Sequence, residues 1–225
     1  MKIICISDTH EEHREIHDII KNIEADVIIH AGDGANSKIP AINNNPLRDC
    51  LTWLDSFDHI KHKIYVPGNH DSVLASGLIK KKDYPNINFL INEEIIIDGI
   101  KFYGSQITPT FGQWSYMCKR SKIDKYWKQI PNDTCILITH GPPHTILDCT
   151  IDFDKQIKMV GCKNLLNRVL EKQPLYHIFG HVHDENGIHN HGVRTIGNKC
   201  KTTFVNASLM NLKYQIVNKP IIIEI

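Results

Sequence analysis

Apolar and polar positions along the chain fall into short blocks. "KIICISD" (2–8) and "DVIIHAGD" (26–33) are isoleucine- and valine-rich runs of the length that buried strands take. Between them Ile16, Ile19, Ile20 and Ile23 recur at helical spacing and predict a helix over 11–24. The polar stretch "GANSKIPAINNNP" reads as a loop, followed by a helix over 47–57, a third strand in "KIYVPGNHD" and a helix over 72–82. Alternating strands and helices predict parallel pairing with crossover helices. The rhythm then shifts. "NINFLIN", "EEIIIDGI" and "KFYGSQ" are short β runs, and Asp98-Gly99 between the last two is a strong hairpin signal. "TCILITHG" is a buried strand, Leu165, Leu166, Val169 and Leu170 mark a helix over 162–171, and "LYHIFGHVH", "GVRTIG", "TTFVNAS" and "PIIIEI" read as strands. No repeat or linker divides the chain, so residues 1–225 are expected to form one mixed α/β domain, parallel early and antiparallel late.

Composition narrows the function classes. With 26 basic and 25 acidic side chains the net charge is +1, which disfavours a sequence-independent polyanion binder. The tight basic run Lys80-Lys81-Lys82 reads as a solvated helix end. Seven cysteines without CxxC spacing read as reduced thiols. No apolar run reaches the length of a signal h-region or a membrane span, so a cytoplasmic protein is expected, with no membrane partner.

The strand ends hold the chemistry. The first ends in Asp8 and His10, the second in Asp33, the third in Asn69, His70 and Asp71, the fourth in His140, and the fifth in His181 and His183. Carboxyl ends of parallel strands form the ligand-binding edge of an α/β sheet. Residues i and i+2 of an extended segment face one side, so Asp8 with His10, and His181 with His183, can each converge on a point. Gly32, Gly34, Gly68, Gly141 and Gly180, with Pro67, Pro142 and Pro143, supply the turns that aim these side chains.

In this order the motifs D-x-H, G-D, G-N-H-D, a later His and G-H-x-H resemble the calcineurin-like metallophosphoesterases. "FYGSQITPTFGQW", "THGPP", "VGCKNLLN" and the tail "TTFVNASLMN…PIIIEI" look like its small metallophosphoesterase-domain-containing branch, related to class III cyclic nucleotide phosphodiesterases. The resemblance implies a four-layer α/β/β/α sandwich of two mixed sheets flanked by helices, with a two-metal centre between the sheets. It implies hydrolysis of phosphoesters, with cyclic nucleotides as substrates that suit the branch. Carried over by motif, Asp8, His10, Asp33 and His183 hold one metal. Asp33, Asn69, His140 and His181 hold the other, Asp33 bridges, and His70 stands beside them as an acid or electrostatic stabiliser. Some animal members of the branch have glycine at the position of His181, whereas this chain has histidine.

Imidazole, carboxylate and amide oxygen without thiolate suit Mn, Fe, Co, Ni or Zn. Two such ions with a bridging hydroxide leave the centre positive against only two carboxylates, which draws an anionic ester. Asp71 is expected to orient His70 or to cap the following helix. His144, Phe111 and Trp114 are candidates to line the substrate site, the aromatics by stacking on a base. His13, His17, His30, His59, His62 and His177 are expected at surface or half-buried positions, and His189 and His191 in a surface loop. Protein phosphatases of the same superfamily carry an arginine that "GDGANS" lacks. A metal-dependent nuclease, a broad phosphomonoesterase and a low-turnover metal-binding scaffold remain the competing readings.

Overall fold

A computed structural model describes residues 1–36, 46–151, 154–185 and 187–225. Most of the polar loop expected after Gly34 therefore lies outside the described residues. In chain order the strands are β1 (Lys2–Ile6), β2 (Val27–His30), β3 (His62–Tyr65), β4 (Ile87–Phe89), β5 (Glu93–Ile97), β6 (Ile100–Ser105), β7 (Thr108–Pro109), β8 (Met117–Cys118), β9 (Ile136–Thr139), β10 (Cys149–Ile151), β11 (Ile157–Met159), β12 (Tyr176–Phe179), β13 (Gly192–Arg194), β14 (Thr203–Asn206) and β15 (Ile221–Glu224). The helices are α1 (His17–Ile20), α2 (Pro46–Asp55), α3 (Ser72–Ala75), α4 (Asp124–Trp127) and α5 (Lys163–Lys172).

Two sheets dominate, in the orders β15-β1-β2-β3-β4 and β13-β14-β12-β9-β6-β5. Successive side chains of a strand point to opposite faces, and in these strands both faces are apolar. Ile4, Ile6 and Ile28 face an outer layer with Leu51, Leu54 and Phe57 of the α2 region. Ile3, Cys5, Val27 and Ile29 face inward and meet Phe102, Ile136, Ile138 and Ile178 of the second sheet. On the far side, Leu137, Phe179 and Phe204 pack on Trp127 of α4 and on Leu165 and Val169 of α5. The chain is a four-layer α/β/β/α sandwich of mixed sheets. Burying each of these large side chains stabilises the fold by about 1.5–3 kcal/mol relative to exposure.

The late strands differ from their expected pairing. β6, β9, β12 and β14 run parallel, and among the described residues of the two large sheets the antiparallel partners β5, β13 and β15 sit at the edges. The central strands are covered on both faces, the setting in which parallel pairing occurs. The Asp98-Gly99 hairpin forms as expected: Ile97 pairs with Ile100, and φ is 50° and 81° at the two turn residues.

Two helices are shorter than their periodicity predicts. Residues 13–16 form a 3₁₀ turn before α1. Ile16 and Ile20 are buried, but Ile19 is 38% exposed, so the apolar face supports little more than one α-helical turn. α3 stops at Ala75 because Gly77, at φ 74°, leaves the helical region. Lys81 and Lys82 then sit exposed in a separate 3₁₀ turn. The β10–β11 hairpin was not evident from the sequence pattern. No helix among the described residues is long and apolar enough to cross a membrane.

Candidate metal centre

β1, β2 and β3 of one sheet and β9 and β12 of the other end at a common rim. Beyond the strand ends the loops are stitched together by backbone hydrogen bonds: Asp8 N to Gly32 O (2.9 Å), His10 N to Asp33 O (3.0 Å), Leu209 N to Ser7 O (3.1 Å) and Gly180 N to His140 O (2.9 Å). With the His70 N–H donated to Asp33 Oδ1, these bonds bring Asp8, His10, Asp33, Asn69, His70, His140, His181 and His183 together. β1 ends at Ile6 and β12 at Phe179, so both D-x-H and H-x-H lie past the extended backbone. Asp8, His10, Asp33 and His181 instead adopt φ of 55°, 39°, 57° and 72°. Left-handed backbone at a non-glycine residue costs on the order of 1–3 kcal/mol and clusters at functional sites. The convergence is therefore made by strained turns rather than by strand alternation.

Close approach accounts for two glycines. A Cβ on Gly68 would stand 2.2 Å from Asp33 Oδ1, and one on Gly180 would stand 2.1 Å from Ser7 Oγ and 2.2 Å from Asp8 Oδ2. Gly180→Ala is expected to push Asp8 out of place. We expect a stability loss of about 1–3 kcal/mol in denaturant titration, together with weaker metal binding; unchanged values for both would show that the rim yields freely.

Asp8 Oδ2 accepts the N–H of His181 (2.8 Å). Its Oδ1 is buried without a hydrogen-bond partner and lies 3.4 Å from His183 Nε2 and 3.9 Å from His10 Nε2. Asp33 Oδ1 accepts the N–H of His70 (2.7 Å). Its Oδ2 lies 3.2 Å from His140 Nε2, 3.9 Å from His10 Nε2 and 4.0 Å from His70 Nε2. Asn69 Oδ1 is 3.0 Å from His140 Nε2, and the Nε2 atoms of His10 and His183 are 3.3 Å apart.

Three ring orientations are fixed from behind. The Nδ1 atoms of His10, His140 and His183 contact the carbonyls of Ala35 (3.2 Å), Ala31 (2.8 Å) and Asn211 (3.3 Å), leaving Nε2 turned into the site. This backing is typical of ligating histidines. Neighbouring ligands around one ion with bonds near 2.0–2.1 Å stand about 3.3 Å apart in tetrahedral geometry, so the donor spacings suit metal ions. Asp8, His10 and His183 form one compact group, and Asp33, His140 and His181 another; Asp33 also groups with His10 and His70.

Burial opposes charge on these imidazoles. It lowers the pKa of His10 to about 4 and of His181 to about 3. At His140 burial acts the same way, but the charge and hydrogen bond of Asp33, with Asp8 behind, outweigh it and raise the pKa to about 9. Burial likewise works against charge on Asp33, yet His140 holds its carboxyl well below the usual range. A proton and a metal ion compete for such a pair.

Asp71 plays neither expected structural role. It occupies the N-cap position of α3 but makes no side-chain cap bond, and His70 Nδ1 is buried without a partner. The Asp71 carboxylate instead accepts the N–H groups of Asp33 (3.1 Å), Gly34 (3.2 Å) and Gly68 (2.7 Å) and the hydroxyl of Tyr65 (2.9 Å). It ties the loop after β2 to the loop after β3. Burial, then the charge of Asp33, raises its pKa to about 7.

A cavity of about 370 Å³ opens over the cluster. Phe111 and Trp114 line it as expected, with Trp114 against His70 (ring centroids 4.0 Å apart) and Phe111 beside His181 (5.2 Å). His144 does not line it; it faces Asp148 (3.6 Å). Arg120 and Tyr214 also stand in the cavity wall, and no sequence motif marks either of them. The Tyr214 ring meets His10 and His183 edge-on at 4.8 and 5.7 Å, from a loop whose polar sequence gave no signal.

Several histidines sit deeper than expected. His13, His30 and His177 are buried. His30 stacks on Tyr65 and contacts Thr9 Oγ1 (3.0 Å). His177 Nε2 contacts Thr139 Oγ1 (2.8 Å). Between exposed His189 and half-buried His191, Asn190 is buried and donates to the His183 carbonyl (2.8 Å).

A four-layer sandwich whose rim gathers carboxylates and imidazoles within metal-binding reach is the build of a metallophosphoesterase. The chain belongs to the calcineurin-like phosphoesterase family, whose model matches residues 1–185. It is 36% identical to UPF0046 protein K07C11.7 of Caenorhabditis elegans, over the whole of this chain and 75% of that protein. It is 33% identical to human metallophosphoesterase domain-containing protein 1, over the whole of this chain and 71% of that protein. A 3′,5′-cyclic-nucleotide phosphodiesterase of Nostoc is 24% identical over 77% of this chain and 62% of its own length. Family membership makes the chain a metal-dependent phosphoester hydrolase.

Proposed function

We propose that the chain is a dinuclear-metal phosphodiesterase acting on small nucleotide diesters, cyclic nucleotides among them. Asp8, His10, Asp33 and His183 would hold one divalent transition metal, and Asp33, Asn69, His140 and His181 the other. The observation that supports this best is that Asp33 Oδ2 lies within 3.2 Å of His140 Nε2 and 3.9 Å of His10 Nε2, one histidine from each ligand set. Residues 1–225 would act as one domain, since β13, β14 and β15 complete both sheets beyond residue 185.

When bound by these residues, two divalent ions would supply a hydroxide near neutral pH and would neutralise charge on the phosphoryl oxygens. The remaining work falls to the chain. His70, packed on Trp114 with Nε2 toward Asp33, presents an N–H to a phosphoryl or leaving oxygen and can pass a proton to the latter. Burial disfavours its charged form. Asp71 acts as a positioning residue by holding the two loops that bear Asp33 and His70. Phe111 and Trp114 offer ring faces to a base or aryl group. The cyclic-nucleotide reading draws on the likeness to the Nostoc cyclic-nucleotide phosphodiesterase and on the aromatic wall.

The test is a substrate panel on protein stripped by chelator and reloaded in turn with Mn, Fe, Co, Ni and Zn. It contains 2′,3′- and 3′,5′-cyclic nucleotides, a bis-aryl diester, a monoester and single-stranded DNA. Diester hydrolysis restored by Mn²⁺ is expected, with cyclic nucleotides among the substrates. Exclusive turnover of the monoester or of DNA would replace the phosphodiesterase reading, and no turnover with any metal would leave a metal-binding scaffold.

A further inference from the structure

Arg120 stands in the wall of the same cavity as Asp33, His70 and Trp114. Its guanidinium donates to two backbone carbonyls, those of Gly161 (2.8 Å) and Val160 (2.5 Å). These neutralise no charge, and among the described residues no carboxylate pairs with it. Five N–H donors less the two so used leave three that no described residue takes. The mount is itself anchored: Gly161 N donates to the buried carboxylate of Asp148 (2.9 Å), and Val160 N to the Asp148 carbonyl (3.0 Å). A side chain that is costly to order is thus held ready at the rim. An adjoining groove shares Arg120, Val160 and Gly161 with the cavity and adds Lys163, so the positive wall continues away from the metal-binding cluster.

We propose that Arg120 is a specificity-determining residue that receives a second anionic group of the substrate, on the same cavity wall as the phosphoester held at the Asp33 end. The favoured substrates are then nucleotide esters bearing a further phosphate, such as a 3′,5′-bisphosphate skeleton or a dinucleotide, over compact cyclic mononucleotides. The fork of a guanidinium matches phosphate oxygens in bidentate fashion, which an ammonium does not. This inference rests on the phosphoesterase site described above but needs no particular reaction at it.

The experiment measures binding without turnover. Thymidine 5′-phosphate and thymidine 3′,5′-bisphosphate are titrated calorimetrically into Mn²⁺-loaded wild type, Arg120→Gln and Arg120→Lys. In the wild type the extra phosphate is expected to tighten Kd about tenfold. That gain should fall below twofold in Arg120→Gln and be partial in Arg120→Lys, while all three bind the monophosphate alike. A structural tie alone would weaken both ligands equally, so loss of monophosphate binding in parallel overturns the assignment. So does a wild type indifferent to the second phosphate, or a gain that survives in Arg120→Gln. If Arg120→Gln does not fold, as judged by its thermal midpoint, Arg120→Lys decides by the same ratio. Diester turnover is scored separately on the wild type, so failure of the phosphodiesterase reading and failure of this one give different results.

Discussion

Asp33→Asn is expected to abolish full occupancy of both metal positions and to reduce diester turnover by at least on the order of 10²–10³-fold, the loss that follows removal of one electrostatic contact in a closed site. The substitution is nearly isosteric. An amide oxygen can still accept the His70 N–H that Asp33 Oδ1 now accepts at 2.7 Å, so the loop after β3 keeps its anchor. What disappears is the negative charge beside His140 at 3.2 Å and His10 at 3.9 Å. Metal content by elemental analysis, paired with the thermal midpoint, separates loss of ions from loss of fold. Two stoichiometric ions in a folded Asp33→Asn protein would refute the bridging role.

For His70→Ala we expect the opposite pattern: metals retained and turnover reduced on the order of 10²–10⁴-fold. His70 Nε2 is 4.0 Å from Asp33 Oδ2, close enough to act on a bound ester, while its neighbour Asn69 keeps the contact with His140 (3.0 Å). The alanine also removes the ring on which Trp114 packs. The loss should therefore appear in kcat for a bis-aryl diester, and in both kcat and KM for a nucleotide that uses the aromatic wall. Wild-type kcat on the aryl diester would show that His70 only supports Trp114.

The sequence by itself determined the apolar strand runs, the Asp98-Gly99 hairpin and the order in which carboxylate, amide and imidazole groups follow the strands. All of these are local: a run of β-branched residues wants two apolar layers, and a D-G pair accepts positive φ. It also brought Asp8, His10, Asp33, Asn69, His70, His140, His181 and His183 to attention as one set, because motif order is a one-dimensional property. The tertiary structure decided what depends on partners distant along the chain. Parallel pairing of β6, β9, β12 and β14 follows from burial on both faces, which periodicity cannot reveal. The brevity of α1 reflects how little of its surface the first sheet covers. The left-handed turns at Asp8, His10, Asp33 and His181 are held by hydrogen bonds between loops up to 173 positions apart, such as His181 N to Asp8 Oδ2. Asp71 looked like a cap or an orienter from its neighbours in sequence, yet it spends its carboxylate on Asp33, Gly34, Gly68 and Tyr65, because a buried carboxylate must find donors wherever the fold brings them. Arg120 and Tyr214 became part of the site only when their loops closed over it, since a surface-type residue in a polar loop has no pattern that marks which cavity it will face.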